Sequence, residues 1–171
     1  MKILYLSPST QEKNLSTDNI NEEGNMNRLA NGIARRLVKV PITIYRNSPS
    51  WDAASSIADS NRKRSDLHLA LHSNAGGGSG VIVFYDPTKQ KTKALAERLA
   101  ASISKVLGVE NDGIKDGRHL IEISKADKNV NPMLIETHFH DNATDVAKFN
   151  EKWDAVANEI SYLVKVFFAE V

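Results

Sequence analysis

The sequence predicts a single α/β domain with a mostly parallel, twisted sheet and helices on both faces. Two observations lead to this prediction. Short apolar and β-branched runs alternate with segments of helical periodicity along the chain, which is typical of β-α-β crossovers. The 171 residues contain no internal repeat and no linker long enough to separate two domains, so one domain of ordinary size is expected over 1–171.

Composition excludes several function classes. The chain has 22 Lys and Arg against 21 Asp and Glu, a net charge of +1, so we expect no broad electrostatic grip on nucleic acid. It has no cysteine, which excludes disulfides, iron–sulfur clusters and thiol nucleophiles. No apolar run is long enough to cross a bilayer, so membrane insertion is not expected either.

Periodicity and stop signals predict the individual elements. Strands are predicted at 3–6, 41–45, 67–71, 81–85, 119–123 and 132–135, and helices at 22–37, 51–61, 91–107 and along the C-terminal segment. Asn21 and Ser50 are the expected caps of the first two helices, and Gly108 is the expected end of the third. The first helix has an apolar stripe that comprises Met26, Leu29, Ala30, Ile33 and Leu37.

Three polar clusters follow predicted strands, at 7–14, 72–75 and 136–142. In open parallel sheets, ligands bind beyond the carboxyl ends of the strands. We therefore expect these clusters, although distant in sequence, to meet at one edge of the sheet.

His72 is the main candidate residue of the second cluster. It ends an apolar run and is followed by Ser-Asn-Ala and several glycines, a place where an imidazole could meet a ligand or a metal. A histidine that only caps the strand is an equally open interpretation. His68 shares the strand face but lies deeper, so a core histidine is predicted there.

Glu136 is the main candidate of the third cluster. It directly follows an apolar run at 133–135, where a carboxylate is costly to bury unless it has a function or a partner. General acid–base catalysis is such a function. His138 and His140 could both bind one metal if the segment were extended, or could face water in a polar loop. The acidic pair at 22–23, taken alone, indicates only complementation of the helix dipole.

Together, these clusters resemble the zinc-dependent N-acetylmuramoyl-L-alanine amidases of bacterial cell walls and phage lysins. The resemblance extends over nearly the whole chain. The family's Leu-His-x-Asn-Ala stretch is matched by 71–75, and its Leu-x-Glu-Thr-x-Phe-x-x-Asn stretch by 134–142. A family helix that begins with a zinc-binding Glu followed by an Asn is matched by Glu23 and Asn27.

The resemblance implies a function and a mechanism. Zn²⁺ would be held by Glu23, His72 and a third group, with a water in the open position. Glu136 would take the proton of that water, which would attack the amide between N-acetylmuramate and L-alanine in peptidoglycan. Contacts to the glycan or peptide are expected from Asn74, His140 or Arg118.

The first family motif lacks its histidine in this chain. The sequence reads Ser-Pro-Ser-Thr-Gln-Glu over 7–12, so Thr10 stands where the family has a zinc-binding His. Gln11 could supply a side-chain oxygen as the third ligand, which we favour because the other motifs are intact. Alternatively, His138 or His140 could reach the metal from the opposite loop. A third alternative is a metal-free, peptidoglycan-binding relative with the same fold.

Two other functional interpretations are weaker. Ser7, Ser9 and Ser73 could suggest a serine hydrolase, but none of them lies in a Gly-x-Ser-x-Gly elbow. The glycine-rich segment at 76–80 lacks the Lys-Ser or Lys-Thr of a P-loop and precedes a strand rather than a helix.

Peptidoglycan is the expected partner, and a monomer is expected. The N-terminal segment is too short and too soon broken by Pro8 to be a signal peptide. Action on the bacterial wall then implies either release from the cytoplasm in the manner of a phage lysin or a trimmed secreted domain. In both cases a C-terminal wall-binding module is expected to be missing.

Overall fold

A computed structural model describes residues 1–170 as a six-stranded sheet with five helices. The strands are β1 (Lys2–Pro8), β2 (Ile42–Arg46), β3 (Leu67–Asn74), β4 (Val81–Tyr85), β5 (Asn111–Asp116) and β6 (Asn131–Phe139). The helices are α1 (Glu22–Leu37), α2 (Ala53–Arg62), α3 (Gln90–Leu107), α4 (Ile121–Ser124) and α5 (Ala143–Glu170).

The sheet is mostly parallel, as predicted. Its strand order is β2-β1-β3-β6-β4-β5, and every neighbouring pair is parallel except β4 and β6. Strands β1, β3 and β6 therefore lie side by side and point the same way, so their carboxyl ends share one edge. The predicted fold class, an α/β domain with helices on both faces, is confirmed.

The helices cover the two faces unequally. Side chains alternate along each strand, and one set enters a large core together with α1, α3 and α5. The opposite face is covered by α2 and α4, over a smaller apolar cluster of Ala70, Ile123 and Leu134. His68 and His72 project from this second face because they share strand parity with Ala70.

The strand predicted at 119–123 is wrong. The edge strand beside β4 is β5, and residues 121–124 form the one-turn helix α4. A short apolar run is compatible with either a buried strand or a buried helix. Here the amide of Ser124 donates to the carbonyl of Leu120, a hydrogen bond of helical spacing.

Helix boundaries follow their caps. Asn21 caps α1 through its side chain, as predicted. The cap of α2 is Asp52 rather than Ser50, because the Asp52 carboxylate accepts a hydrogen bond from a first-turn amide at 2.7 Å. Gly108 ends α3 in the left-handed conformation, with φ of 70°, which glycine adopts without strain.

The long helix α5 closes the larger core. Its Phe149 is fully buried, and the ring stacks on His138 with the ring centroids 4.3 Å apart. The guanidinium of Arg28 lies over the same ring, 5.8 Å from its centroid. Within residues 1–170, no helix combines the length and the apolar composition needed to cross a membrane.

Replacing Phe149 by alanine should lower the free energy of unfolding by about 3–5 kcal/mol, because the change leaves a cavity between α5 and the sheet. Urea denaturation measures this change. Tyr162 on the same helix is 59% exposed, so Tyr162→Ala is the matched control and should stay within about 0.5 kcal/mol of the wild type. A loss below about 1 kcal/mol in Phe149→Ala would contradict this packing of α5.

Candidate active site

The three polar clusters meet at the carboxyl edge of β1, β3 and β6, as predicted. His72 of β3 lies opposite Glu136 of β6 in the ladder, so both side chains project from the same face. The amide of His140 donates to the carbonyl of Asn74 at 2.8 Å, and the amide of Thr17 donates to the carbonyl of His140 at 3.0 Å. These bonds join the three loops into one site.

Glu22 is the acidic residue of α1 that enters this site, and it is 1% exposed. Its carboxylate lies 3.0 Å from His72 Nδ1 and accepts hydrogen bonds from the Ser73 amide at 3.2 Å and Asn14 Nδ2 at 2.8 Å. Burial opposes ionisation, but the bonds from His72, Asn14 and Ser9 outweigh it and lower the pKa of Glu22. Glu22 is therefore an ionised carboxylate surrounded by donors.

The imidazole of His72 lies between two carboxylates. Its Nδ1 faces Glu22, and its Nε2 lies 3.4 Å from Oε2 of Glu122 on α4. Burial alone would lower the pKa of His72, but hydrogen bonds to Glu122 and Glu22 raise it to about 10. Burial of Glu122 is likewise outweighed by bonds with His68 and His72, which lower its pKa to about 2. At neutral pH the array is carboxylate, imidazolium, carboxylate.

Glu136 stands apart from this array. It is partly buried, and its Oε2 has no hydrogen-bond partner among residues 1–170. Burial raises the pKa of Glu136 to about 7; the charge of His72 opposes this effect, and the charge of Glu22 adds to it. A carboxyl group with a pKa near neutrality can both accept and return a proton at physiological pH.

A cleft runs past these groups. Glu136 lies at a cavity of about 350 Å³, whose other lining residues are Gln11, Ala53, His72, His119, Leu120, Ile121, Glu122 and Leu134. An adjoining cavity of about 240 Å³ shares Gln11, Ala53, His72 and Glu122 with the first and is otherwise lined largely by hydroxyl and amide side chains. Both the array and Glu136 therefore border one depression, whose lining mixes polar and apolar side chains.

Two of the three predicted zinc ligands, Glu23 and Gln11, make no hydrogen bond or ion pair with His72 within residues 1–170. The side chain of Glu23 is half-buried and makes no hydrogen bond or ion pair with His72 within residues 1–170, whereas Glu22 does. The side-chain oxygen of Gln11, predicted as the third ligand atom, accepts a hydrogen bond from Asn14 Nδ2 at 2.7 Å.

The other histidines of the predicted site have different partners. Nδ1 of His140 lies 3.0 Å from the hydroxyl of Ser73. His138 is buried against Phe149, and burial lowers its pKa to about 4. His68 is fully buried, as predicted for a core histidine. Within residues 1–170, none of these three imidazoles makes a hydrogen bond or ion pair with His72.

The predicted substrate contacts lie in different surroundings. Asn74 is half-buried on the rim, and its side-chain oxygen accepts a hydrogen bond from the Ala75 amide at 2.9 Å. Arg118 is exposed and paired with Asp116, with Nη2 and Oδ2 2.6 Å apart. Their contacts with substrate stay predictions.

The residues present do not complete a catalytic zinc site. Such a site needs three protein ligands and an open position, and within residues 1–170 no three His, Asp or Glu side chains converge so as to hold a metal ion. Glu22 and His72 are in contact, but both ring nitrogens of His72 face carboxylates. Zinc at this position stays a prediction from the sequence.

Sequence reasoning missed the contributions of Glu22 and Glu122, although signals for both were present. Glu22 lies four residues before Met26, on the stripe that packs α1 against the sheet. Glu122 stands between Ile121 and Ile123, in an apolar run comparable to the one before Glu136. The cost of burying a carboxylate applies equally there.

Replacing Glu136 by glutamine should stabilise the protein above pH 7 relative to the wild type. The pKa of Glu136 is about 7 in the folded state against 4.5 for the free side chain, so the unfolded chain ionises first. Wild-type stability therefore falls as pH rises from 4.5 to 7, by at most about 3 kcal/mol from this group. In urea denaturation across this range, the free energy of unfolding of Glu136→Gln should increasingly exceed that of the wild type as pH rises. If the difference between the two did not change with pH, the raised pKa would be contradicted.

Solved structures share this fold. An N-acetylmuramoyl-L-alanine amidase from Clostridium difficile 630 matches with a TM-score of 0.83 and 18% identity, covering 98% of this chain and 97% of that one. A second match is the catalytic domain of CwlV, an N-acetylmuramoyl-L-alanine amidase from Bacillus (Paenibacillus) polymyxa var. colistinus. Its TM-score is 0.85 and its sequence identity is 16%, with 99% of each chain covered. The catalytic domain of the CD27L endolysin targeting Clostridia difficile matches with a TM-score of 0.79 and a sequence identity of 22%, with 96% of each chain covered.

A family model gives more direct evidence of the protein family than structural similarity does. No curated protein matches the chain significantly. The family model of the N-acetylmuramoyl-L-alanine amidases matches residues 9–165, which include every site residue described above. That family is generally zinc-dependent. The chain belongs to the N-acetylmuramoyl-L-alanine amidase family.

Proposed function

We propose that this chain hydrolyses the amide bond between N-acetylmuramate and L-alanine in peptidoglycan, with Glu136 as the group that moves the proton. Membership in the family supports the substrate and the bond. The observation that supports the role of Glu136 is its partly buried carboxyl group, which has a pKa of about 7 and one oxygen without a protein partner at the cleft. The bacterial cell wall is the proposed place of action.

Ionised Glu136 acts as the general base. It takes a proton from a water molecule in the cleft while the water oxygen bonds to the carbonyl carbon of the amide. Glu136 then returns that proton to the alanine nitrogen, and the carbon–nitrogen bond breaks. The products are a lactyl carboxylate and a peptide with a free amine. One carboxyl group serves both steps because they occur in succession.

One side chain at the cleft can donate hydrogen bonds to the negative charge that forms on the carbonyl oxygen. The amide hydrogens of Gln11 have no partner within residues 1–170, because only its oxygen is bonded, to Asn14. Donors fixed before the reaction are the usual means of lowering such a barrier. The positive charge of His72 is matched by Glu22 and Glu122, and it acts on Glu136 by opposing the rise in its pKa. Gln11 is thereby proposed as a substrate contact rather than a metal ligand.

A binding protein without hydrolytic activity is the second candidate. The incomplete set of zinc donors favours it, since no three His, Asp or Glu side chains within residues 1–170 converge so as to hold a metal ion. Such a protein would sediment with purified peptidoglycan without releasing amino groups. Sedimentation and amine release measured on the same sample distinguish the two candidates.

Removing the Glu136 carboxylate should lower the rate of amide cleavage by at least about 100-fold, the usual contribution of a general base. The measurement is the release of free amino groups from purified peptidoglycan by Glu136→Ala. Glu151 is exposed on α5, so Glu151→Ala is the matched control and should keep full activity. In the wild type, kcat/KM should rise with pH through about 7 as Glu136 ionises. Retained activity in Glu136→Ala would remove the residue from this role.

Protein purified without chelator should contain no stoichiometric zinc, because catalytic zinc needs three protein ligands and no three His, Asp or Glu side chains within residues 1–170 converge so as to hold a metal ion. Elemental analysis of the full chain measures this. One zinc per chain would contradict the donor arrangement described above and would favour Gln11 or His140 as the third ligand.

A further inference from the structure

Glu122 is the buried acidic group that the proposed reaction does not use. It is 4% exposed, and no lysine or arginine within residues 1–170 is bonded to it. Its partners are Ser7, His68 and His72. A carboxylate is costly to bury unless its oxygens have partners. The partners of Glu122 therefore indicate its role.

The two oxygens of Glu122 have different partners. Oε1 accepts a hydrogen bond from the Ser7 hydroxyl at 2.5 Å and lies 3.2 Å from His68 Nε2, so this oxygen joins α4 to β1 and β3. Oε2 lies 3.4 Å from His72 Nε2. The first oxygen connects the short helix to the sheet, whereas the second is directed at the imidazole that borders the cleft.

The backbone around α4 holds Glu122 firmly. A Cβ atom at Gly117 would lie 2.3 Å from Ile123 Cδ1 and 3.0 Å from Phe84 Cβ, so glycine allows α4 to approach the sheet closely. On the other side, Nδ2 of the Asn61 side chain on α2 donates to the carbonyl of Lys125 at 2.8 Å. A group that orients another side chain needs such a fixed support.

We infer that Glu122 is a positioning residue that fixes the His72 ring from the side opposite Glu22. The ring cannot rotate without losing one of two charge-assisted contacts. It is thereby kept in the lining of the cavity that Glu136 also borders. Glu122 acts through His72. Its effect on the reaction rests on the proposed function, whereas its effect on the ring does not.

Three variants test this inference. Glu122→Gln keeps the size of the side chain and removes its charge. Ser7→Ala leaves the carboxylate in place but removes the hydroxyl that anchors it. Glu151→Gln changes an exposed glutamate on α5 and is the matched control. Thermal denaturation establishes that each variant folds. NMR of the ¹⁵N-labelled full chain reports the His72 ring nitrogens, and kinetics on soluble peptidoglycan fragments report kcat and KM separately.

In Glu122→Gln we expect the His72 ring signals to shift and the Nε2 proton to exchange faster with solvent. We also expect kcat to fall by about 10- to 100-fold, the scale known for carboxylates that orient a functional imidazole, with KM little changed. Ser7→Ala should give smaller changes in the same direction, and Glu151→Gln should give none.

Unchanged His72 signals in Glu122→Gln would overturn the inference. A raised KM with unchanged kcat would also overturn it, because Glu122 would then bind substrate rather than orient His72. If Glu122→Gln does not fold, the same two readouts in Ser7→Ala decide the question. If the wild type cleaves no peptidoglycan, the proposed function fails, while the NMR signals still decide whether Glu122 holds the ring.

Discussion

The burial of three carboxyl groups around one imidazole is the constraint on which the rest of this site depends. Glu22, Glu122 and Glu136 all lie at the carboxyl edge of the central strands, and within residues 1–170 their only ionisable partner is histidine. His72 neutralises part of this charge, and amide and hydroxyl groups donate hydrogen bonds to the carboxylates of Glu22 and Glu122. Removing one partner from such an array leaves a buried charge unpaired, which is strongly destabilising.

Different surroundings give these chemically identical groups different properties. Glu22 and Glu122 have donors and a nearby cation, so their pKa values are lowered. Glu136 has lost water without gaining donors, so its pKa is raised to about 7. Carboxyl groups whose pKa values are driven apart commonly divide the work of a site between charge and proton transfer. In this chain Glu22, His72 and Glu122 hold fixed charges, whereas Glu136 is the group that exchanges a proton.

Much of the fold and part of the site could be predicted from the sequence. Alternating strand and helix periodicity predicted the sheet, and the motifs at 71–75 and 134–142 predicted the family, His72 and Glu136 as candidates. The choice between Glu22 and Glu23 depends on a rotation of about 100° around the helix, which a motif comparison does not resolve. The hydrogen bond between Gln11 and Asn14 lies within an irregular loop, where no periodicity predicts it. The place of Glu122 depends on its contacts with Ser7 and His68, which are distant in sequence.

If water attacks the lactyl carbonyl carbon and Glu136 transfers its proton, digestion of purified peptidoglycan in H₂¹⁸O should label the products in one place, which mass spectrometry detects. We expect one ¹⁸O atom in each new lactyl carboxylate, an unlabelled peptide that begins with free L-alanine, and the loss of both products in Glu136→Gln. Label at a different bond, or equal product from the wild type and Glu136→Gln, would contradict this mechanism.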